Sequence, residues 1–289
     1  MPARRRLLLA ALGWPSVRMA RADEPLKLRT PRHAAVRDTL GGYASELLAL
    51  ALARGPRSYE IGPSAESLAQ GRAMVEMIKP DPPIDVFWTV TTPERQAALR
   101  PIRIPIERGL IGWRVALVRR ADVDRLRDVE TLAQLAAFTA GQKHDWPDTP
   151  ILRANGLQVQ TATQYESLFG MLQLGRIDYF PRSVLEIRAE LQAHAALDLA
   201  IEPHLVLRYP SALYYFVAPG RAELAEDIRR GLERVQADGS FERLFQAHFR
   251  DTFDALRLHE RRVLELRNPS LPSDVPLKRI DWWLKSSRP

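Results

Sequence analysis

The chain has 289 residues, 46% of them hydrophobic, which is enough to bury a sizeable core in one large domain or two modest ones. It contains no cysteine, so disulfides, thiol catalysis and cysteine-bound metal are excluded. Five of its 42 basic residues lie in the first 22 positions, leaving 37 against 35 acidic residues, so the charge gives no indication of nucleic-acid binding.

The first 22 residues have the pattern of a secretory signal peptide. A run of three arginines precedes a short apolar stretch from Leu7 to about Val17, and Ala20-Arg21-Ala22 stands before an acidic DEP. The apolar stretch is too short to span a bilayer, and no later stretch is long enough. A merely basic N-terminus is the alternative. We therefore predict a signal peptide over 1–22, cleavage near Ala22 and a soluble periplasmic protein.

Strand and helix patterns alternate along the next hundred residues. Thr92 can cap a helix with its hydroxyl, and Pro93 suits the first helical position because it has no N–H to satisfy, so the helix begins here. The patterns predict strands in LKLRTP (26–31), IDVFWTV (84–90) and WRVALVRR (113–120), and helices in 43–55, 66–79 and 93–101. Such alternation is typical of an α/β layer with a largely parallel sheet.

The alternation restarts at about residue 129. A capping box of Thr163 and Glu166, with Gly175 as C-terminal cap, predicts the helix over 163–175. The remaining patterns predict helices in 129–135, 150–155, 184–195, 222–239 and 240–253, and extended segments in 136–141, 157–162, 176–183 and 205–220. The proline-rich tail from about 268 is predicted to pack as an irregular strap.

Four phrases resemble the type 2 periplasmic solute-binding proteins, in the amino-acid-binding branch called family 3. They are TVTTPERQAALRPIRIPI (89–106), DVETLAQLAAFTAGQ (128–142), YESLFGMLQLGRIDYF (165–180) and IRRGLERVQADGSFERLFQAHF (228–249). Each phrase is degenerate alone, but the four stand in the family's order and spacing across roughly residues 26–250.

The resemblance implies an α/β fold of two lobes joined by two crossing strands, with a ligand held in the cleft. Lobe 1 would be discontinuous, built from 23–115 plus 212–255, and lobe 2 would be 116–211. The crossings would lie in WRVALV (113–118) and PSALYYF (210–216), and 256–289 would be a C-terminal extension.

The resemblance also implies ligand contacts at the end of the strand before residue 92. The family's arginine, which grips the ligand's carboxylate, falls on Arg95, and a guanidinium matches a carboxylate in shape and charge. Trp88 could form an apolar wall and Thr91 could donate to a carboxylate, although both residue types also serve as packing in strands. The alternative for Arg95 is a surface arginine paired with Glu94 or Glu107.

The second half of the cleft would be formed by the loop QKHDWPDT (142–149). Asp145 is predicted there as an acceptor and Trp146 as a platform for a cation or a ring. An ordered surface loop with an anchoring tryptophan is the alternative.

The segment RIDYFPRS departs from the family pattern. The family's amine-binding aspartate would fall five residues after Asp178, where this chain has Ser183 preceded by Arg182. Arg182 facing Arg95 would suit a dicarboxylate or another anion, whereas Asp145 could instead supply the missing acid. Arg182 could also cap a helix or pair with Glu186.

No sequence motif requires catalysis. Nucleophile-elbow, zincin, P-loop and dinucleotide motifs are lacking, and six scattered histidines have no metal-ligand spacing. We therefore predict a monomeric, non-enzymatic binding protein without cofactor or metal. It would clamp a small anionic or zwitterionic solute for the permease of an ABC-type importer. The alternatives are a ligand-reporting domain for a membrane sensor and a cyclohexadienyl dehydratase-like enzyme on the same fold.

Overall fold

The computed structural model describes residues 24–32 and 39–284. The predicted signal peptide and its cleavage site lie outside these ranges. Within them, no helix combines the length and the apolar character that crossing a membrane requires.

Helices and strands alternate as the sequence predicts, although the strands at 59–63, 100–102, 199–201 and 262–265 lie outside the predicted ones, and the helix predicted over 93–101 ends at residue 98. The helices are α1 (Thr39–Leu52), α2 (Gln70–Glu76), α3 (Pro93–Ala98), α4 (Leu132–Leu135), α5 (Asp148–Ala154), α6 (Tyr165–Gln173), α7 (Ile187–Ala193), α8 (Ala222–Ala237) and α9 (Ser240–Leu256). The strands are β1 (Leu26–Thr30), β2 (Tyr59–Pro63), β3 (Val86–Val90), β4 (Arg100–Ile102), β5 (Trp113–Arg119), β6 (Thr139–Lys143), β7 (Gln158–Ala162), β8 (Phe180–Ser183), β9 (Leu199–Ile201), β10 (Leu205–Arg208), β11 (Leu213–Val217) and β12 (Arg262–Glu265).

The first lobe combines β1–β4 and β11 with α1–α3, α8 and α9. β11 lies between β3 and β4, and β1 pairs with β2. α9 buries phenylalanines every fourth residue, and this spacing puts Phe245 and Phe249 on the helix face that packs on Tyr43 of α1. The core of the first lobe is therefore complete only when the C-terminal helices α8 and α9 pack against the N-terminal part of the lobe.

The second lobe combines β5–β10 and β12 with α4–α7. Its larger sheet has the order β12-β10-β5-β8, with β9 also paired to β5, and β6 pairs with β7. Branched and leucine side chains of β5 and β10, including Val118 and Leu207, form its core with Ile151 of α5 and Leu264 of β12. β12 lies outside the predicted elements, because a parallel partner 57 residues away leaves no local pattern.

The strand pairings correct the prediction of a largely parallel sheet. Both pairings of β11 are antiparallel, as are three of the four pairings of the larger second-lobe sheet. β1 with β2 and β6 with β7 are parallel, as βαβ units require. The antiparallel pairs arise where the chain crosses between the lobes and returns.

Two crossing segments, 104–112 and 209–213, join the lobes side by side. Ile106 donates its backbone N–H to the Leu213 carbonyl at 3.1 Å, and Tyr209 donates to the Gly112 carbonyl at 3.1 Å. The Glu107 carboxylate is fully buried between the segments and accepts from the backbone N–H groups of Ile111 (3.0 Å) and Leu213 (2.8 Å). The first crossing thus precedes the predicted segment 113–118, whereas the second overlaps the predicted segment 210–216. The predicted residue boundaries of the lobes stay a prediction.

Two helix starts show where local patterns succeed and fail. The Thr92 cap is confirmed, since its Oγ1 accepts from the backbone N–H of Arg95 at 3.3 Å and Pro93 opens α3. The capping box at Thr163 is wrong, because α6 begins at Tyr165 after a Gln164 whose side chain makes no capping bond. At the other end of α6, Gly175 takes the predicted left-handed conformation with φ of 68°.

Candidate functional site

A cavity of about 350 Å³ lies between the two lobes. Its volume falls in the range of small-molecule sites. The first lobe contributes β3, the first turns of α1, α2 and α3 and the loop before α2. The second lobe contributes the start of β5, the loop before α5, the end of β8 and the residue before α7. The charged and aromatic side chains of the described lining are Arg32, Phe87, Trp88, Arg95, Arg114, Trp146, Asp148, Arg182 and Glu186.

Arg95 is a buried cation held by neutral acceptors. Its side chain reaches back from the first turn of α3 to the end of β3, and the residue is only 8% exposed. One terminal nitrogen donates to Thr89 Oγ1 (2.6 Å) and to the Val90 carbonyl (2.7 Å), and the other donates to Gln70 Oε1 (2.8 Å). The alternative of a surface arginine paired with Glu94 or Glu107 is therefore wrong.

The electrostatics of Arg95 leave its charge unmatched. No carboxylate among residues 24–32 and 39–284 forms an ion pair with it. Burial lowers the Arg95 pKa, and the more distant carboxylates of Asp148 and Asp145 act in the opposite direction. A buried charge without a counter-ion is costly, so a negative group entering the cavity would lower the free energy of this arrangement.

Arg114 and Asp148 form a closed network on the opposite wall. The Arg114 guanidinium lies 2.6 Å from Asp148 Oδ1 and donates from Nε to the Tyr209 hydroxyl at 2.9 Å. The Tyr209 hydroxyl in turn donates to Asp148. All three side chains are buried, and they pair with one another at the junction of the second lobe and the second crossing. This network fixes the second-lobe wall and offers no spare charge to a ligand.

Arg182 lines the cavity, but its charge is matched by acids of its own lobe. Its Nε donates to both oxygens of Glu190 at 2.9 and 2.7 Å, and a terminal nitrogen lies 3.2 Å from Glu186. Its guanidinium carbon also lies 4.4 Å from the centre of the Trp146 ring, within the range of a cation–π contact. The predicted alternative of a pair with Glu186 is confirmed, and the second free cation that a dicarboxylate would need is not provided by Arg182.

Glu186 is the surplus acid of this wall. Arg114 is matched by Asp148 and Arg182 by Glu190, so Glu186 is a third carboxylate beside two cations. Its side chain is 27% exposed, against 14% for Glu190, and it lines the cavity. Burial raises its pKa, Arg182 opposes that rise, and Glu190 adds to it. The sequence indicates Glu186 only as an ion-pair partner of Arg182. The family spacing places the amine-binding acid at position 183, which is Ser183 in this chain.

The seven predicted site residues divide into two groups. Four line the cavity: Trp88, Arg95, Trp146 and Arg182. The other three lie outside the described lining. The Thr91 hydroxyl accepts from Gln96, Asp145 is 45% exposed and paired with Lys143 at 2.6 Å, and buried Ser183 accepts from the Leu185 backbone. The roles of all seven in ligand binding stay predictions.

Two α/β lobes, two adjacent crossings and a charged cleft between them define the two-lobed architecture of periplasmic binding proteins. Solved structures support this assignment. An ancestral arginine-binding protein bound to arginine is 17% identical, with a TM-score of 0.57 over 77% of this chain and 98% of its own. The probable amino-acid ABC transporter extracellular-binding protein YtmK from Bacillus subtilis is 14% identical, with a TM-score of 0.60 over 79% and 98%.

A third similar structure extends the range of proteins that share this architecture. The GluR0 ligand-binding core from Nostoc punctiforme, in complex with L-glutamate, is 15% identical, with a TM-score of 0.52 over 78% of this chain and 99% of its own. No protein-family model and no curated protein sequence matches the chain. The fold predicted from the sequence, the two-lobed type 2 periplasmic-binding-protein fold, is thereby confirmed.

Proposed function

We propose that this protein binds a small carboxylate-bearing solute by closing its two lobes around it. The observation that carries the proposal is Arg95, a buried guanidinium at the cleft that has only neutral acceptors among the described residues. A ligand carboxylate would supply the missing counter-ion and accept charge-assisted hydrogen bonds. Ligand contacts to both lobes would favour the closed state.

The opposite wall supports a ligand that also carries a positive group. Glu186 adds a net negative charge to that wall, whereas Arg182 is already matched by Glu190. We therefore propose an amino-acid-like zwitterion in preference to the dicarboxylate that the sequence also left open. Trp88 and Trp146 would provide apolar contact area for its side chain.

The biological role that we propose rests on the predicted leader and on the fold. We propose that the protein is exported, acts as a monomer and delivers its solute to the permease of an ABC-type importer. Supporting this role, one similar structure is named as a probable amino-acid ABC transporter extracellular-binding protein. Reporting the ligand to a membrane sensor needs the same clamp, and the likeness to the GluR0 ligand-binding core supports that alternative.

A thermal-shift screen of the chain from residue 23 tests the proposal. It would include amino acids, dicarboxylates, amines and small aromatic acids. A ligand at a hundred times its Kd should add about 2.7 kcal/mol to the free energy of unfolding. We expect a hit that Arg95→Ala abolishes and Arg72→Ala retains, since Arg72 is an exposed arginine of the same lobe. If a ligand still stabilises the Arg95→Ala protein, Arg95 is not its main binding residue. If only amines stabilise the protein, the proposed carboxylate-bearing ligand is contradicted.

A second candidate is acid–base catalysis in the same cleft. The observation in its favour is Glu186, a cavity-lining carboxylate whose pKa is raised by burial. A carboxyl group whose pKa is raised above its ordinary value can hold and donate a proton as a general acid. Incubating the protein with each hit and following the solute by NMR would distinguish the two. Turnover that Glu186→Gln abolishes would establish an enzyme, and an unchanged solute supports binding alone.

A further inference from the structure

The C-terminal segment returns to the second lobe after α9 has completed the first. Residues 262–265 form β12, which adds a parallel strand to β10. Leu264 and Leu266 are buried in the second-lobe core. Arg267 then exchanges two hydrogen bonds with the Asn155 side chain, at 2.9 and 2.7 Å. This part of the segment is therefore anchored to the second lobe by a strand, by burial and by side-chain bonds.

The same segment then anchors to the first lobe. Val275 is buried with Phe87 and Tyr214, and Leu271 and Trp283 pack against that cluster. Asp274 forms an ion pair with Arg103 at 2.7 Å. The chain between the last second-lobe anchor and Asp274 is short, and it contains two prolines that restrict its backbone. The passage from α9 into β12 is a third covalent path between the lobes, beside the two crossings, and the stretch from β12 to Asp274 is a fourth.

The tail also contacts the crossings directly. Asn268 donates from its side chain to the Pro210 carbonyl at 2.9 Å, and the Leu284 backbone donates to the Arg108 carbonyl at 2.9 Å. Gly109 has φ of 80°, and a Cβ there would lie 2.6 Å from the Trp283 ring. The tail therefore packs against both crossing segments, where a hinge between lobes must bend.

Asp274 links the tail to the helix that carries Arg95. The Gln96 side chain donates to Asp274 Oδ1 and to Thr91 Oγ1, both at 3.0 Å. Arg103 donates to the side-chain Oε1 of Gln96 at 2.9 Å, which completes the network. Gln96 lies next to Arg95 in α3, so this network holds the helix that presents the proposed anchor.

We propose that residues 262–284 form a tether between the lobes, in addition to the two crossings and the passage from α9 into β12, which restrains their relative motion and, through Asp274, positions α3. The tether would narrow the range of interlobe geometries in the ligand-free protein. Because neither Asp274 nor its partner Gln96 is among the described cavity-lining residues, Asp274 is a positioning residue and not a ligand contact.

The first test lengthens the tether and leaves its anchors in place. A flexible Gly-Ser insertion of about six residues between Ser270 and Leu271 should cost little in loop entropy. The chain has no cysteine, so Ala237→Cys and Gln173→Cys on exposed helix ends of the two lobes can carry spin labels. We expect the insertion to broaden the interlobe distance distribution measured by pulsed electron resonance. An unchanged distribution with the insertion would overturn the tether.

The second test removes the link to α3. Asp274→Ala should increase amide hydrogen exchange in residues 93–103 by about tenfold or more, which corresponds to about 1.4 kcal/mol of local stability. The matched control is Asp281→Ala, since Asp281 is an exposed tail residue that forms an ion pair with the nearby Arg279. Exchange in β6 and β7 should not change in either variant. Equal exchange of 93–103 in the two variants would contradict the positioning role of Asp274.

Discussion

In the proposed function, Arg95 and Glu186 select the ligand, and the sequence indicates only the first of them. Arg95 follows a Thr-Pro helix start, so its place at a strand end is readable from local pattern. Glu186 becomes visible only in three dimensions, because its surplus charge emerges from pairing Arg114 and Arg182 with other acids. The sequence therefore predicts Arg95 as the proposed ligand anchor, but it does not predict the surplus carboxylate of Glu186 on the other wall of the cavity.

Glu107 provides a residue-scale prediction on pH. Burial raises the pKa of Glu107 from its ordinary 4.5 to about 7, although backbone N–H groups, those of Ile111 and Leu213 among them, oppose this rise. Between these pH values the folded protein keeps a proton that the unfolded chain has lost. The contribution of Glu107 to the free energy of unfolding should therefore fall by about 3 kcal/mol as the pH rises through this range.

Urea unfolding between about pH 5 and pH 8 measures this effect. Glu107→Gln carries no titrating carboxyl, so its free energy of unfolding should decline less over this range than that of the natural protein. Glu130→Gln, which removes an exposed acid, should leave the decline unchanged. Parallel pH profiles for the natural protein and Glu107→Gln would show that the Glu107 pKa is not raised.

At the scale of elements, helices were easier to predict than sheet pairings. The spacing of phenylalanines in α9 and the Thr-Pro start of α3 are local signals, and both elements form where expected. β12 and the antiparallel pairings depend on partners far along the chain, so periodicity alone could not reveal them. The capping box expected at α6 fails for a different reason, since its helix starts two residues after Thr163.

Thr131, which caps an observed helix, and Thr163, which is predicted to cap a helix but does not, allow a matched test of helix capping. Thr131 caps α4 with a complete capping box, accepting from the Gln134 backbone at 3.2 Å while Gln134 accepts from the Thr131 backbone at 3.0 Å. Thr131→Ala should lower the free energy of unfolding by about 1 kcal/mol. Thr163→Ala should change it by less than about 0.5 kcal/mol, as a surface substitution without a capping bond. Equal losses in chemical denaturation would contradict this assignment of the two caps.

At the scale of the whole molecule, the lobes depend on the close approach of the two crossing segments. Gly112 is the point of closest contact, where an added Cβ would lie 2.1 Å from the Tyr209 carbonyl oxygen. That oxygen belongs to the backbone, so no side chain can move aside. The two crossings can therefore remain adjacent only while residue 112 has no side chain, a constraint that follows from tertiary contact and that sequence alone did not indicate.

Gly112→Ala should therefore destabilise the protein by forcing the crossings apart. We expect a loss of about 3 kcal/mol in the free energy of unfolding, at the upper end of typical overpacking costs. Gly62→Ala is the matched control, because a Cβ in that strand of the first lobe meets nothing within 4 Å and should change stability by less than about 1 kcal/mol.

Because two lobes can unfold separately, hydrogen exchange should accompany the urea titration. The added side chain should speed exchange at the Tyr209 and Leu213 amides more than in β6 and β7. A Gly112→Ala protein as stable as Gly62→Ala would mean that the crossings tolerate separation and that the lobes are held together by other contacts, with the C-terminal segment as the leading candidate.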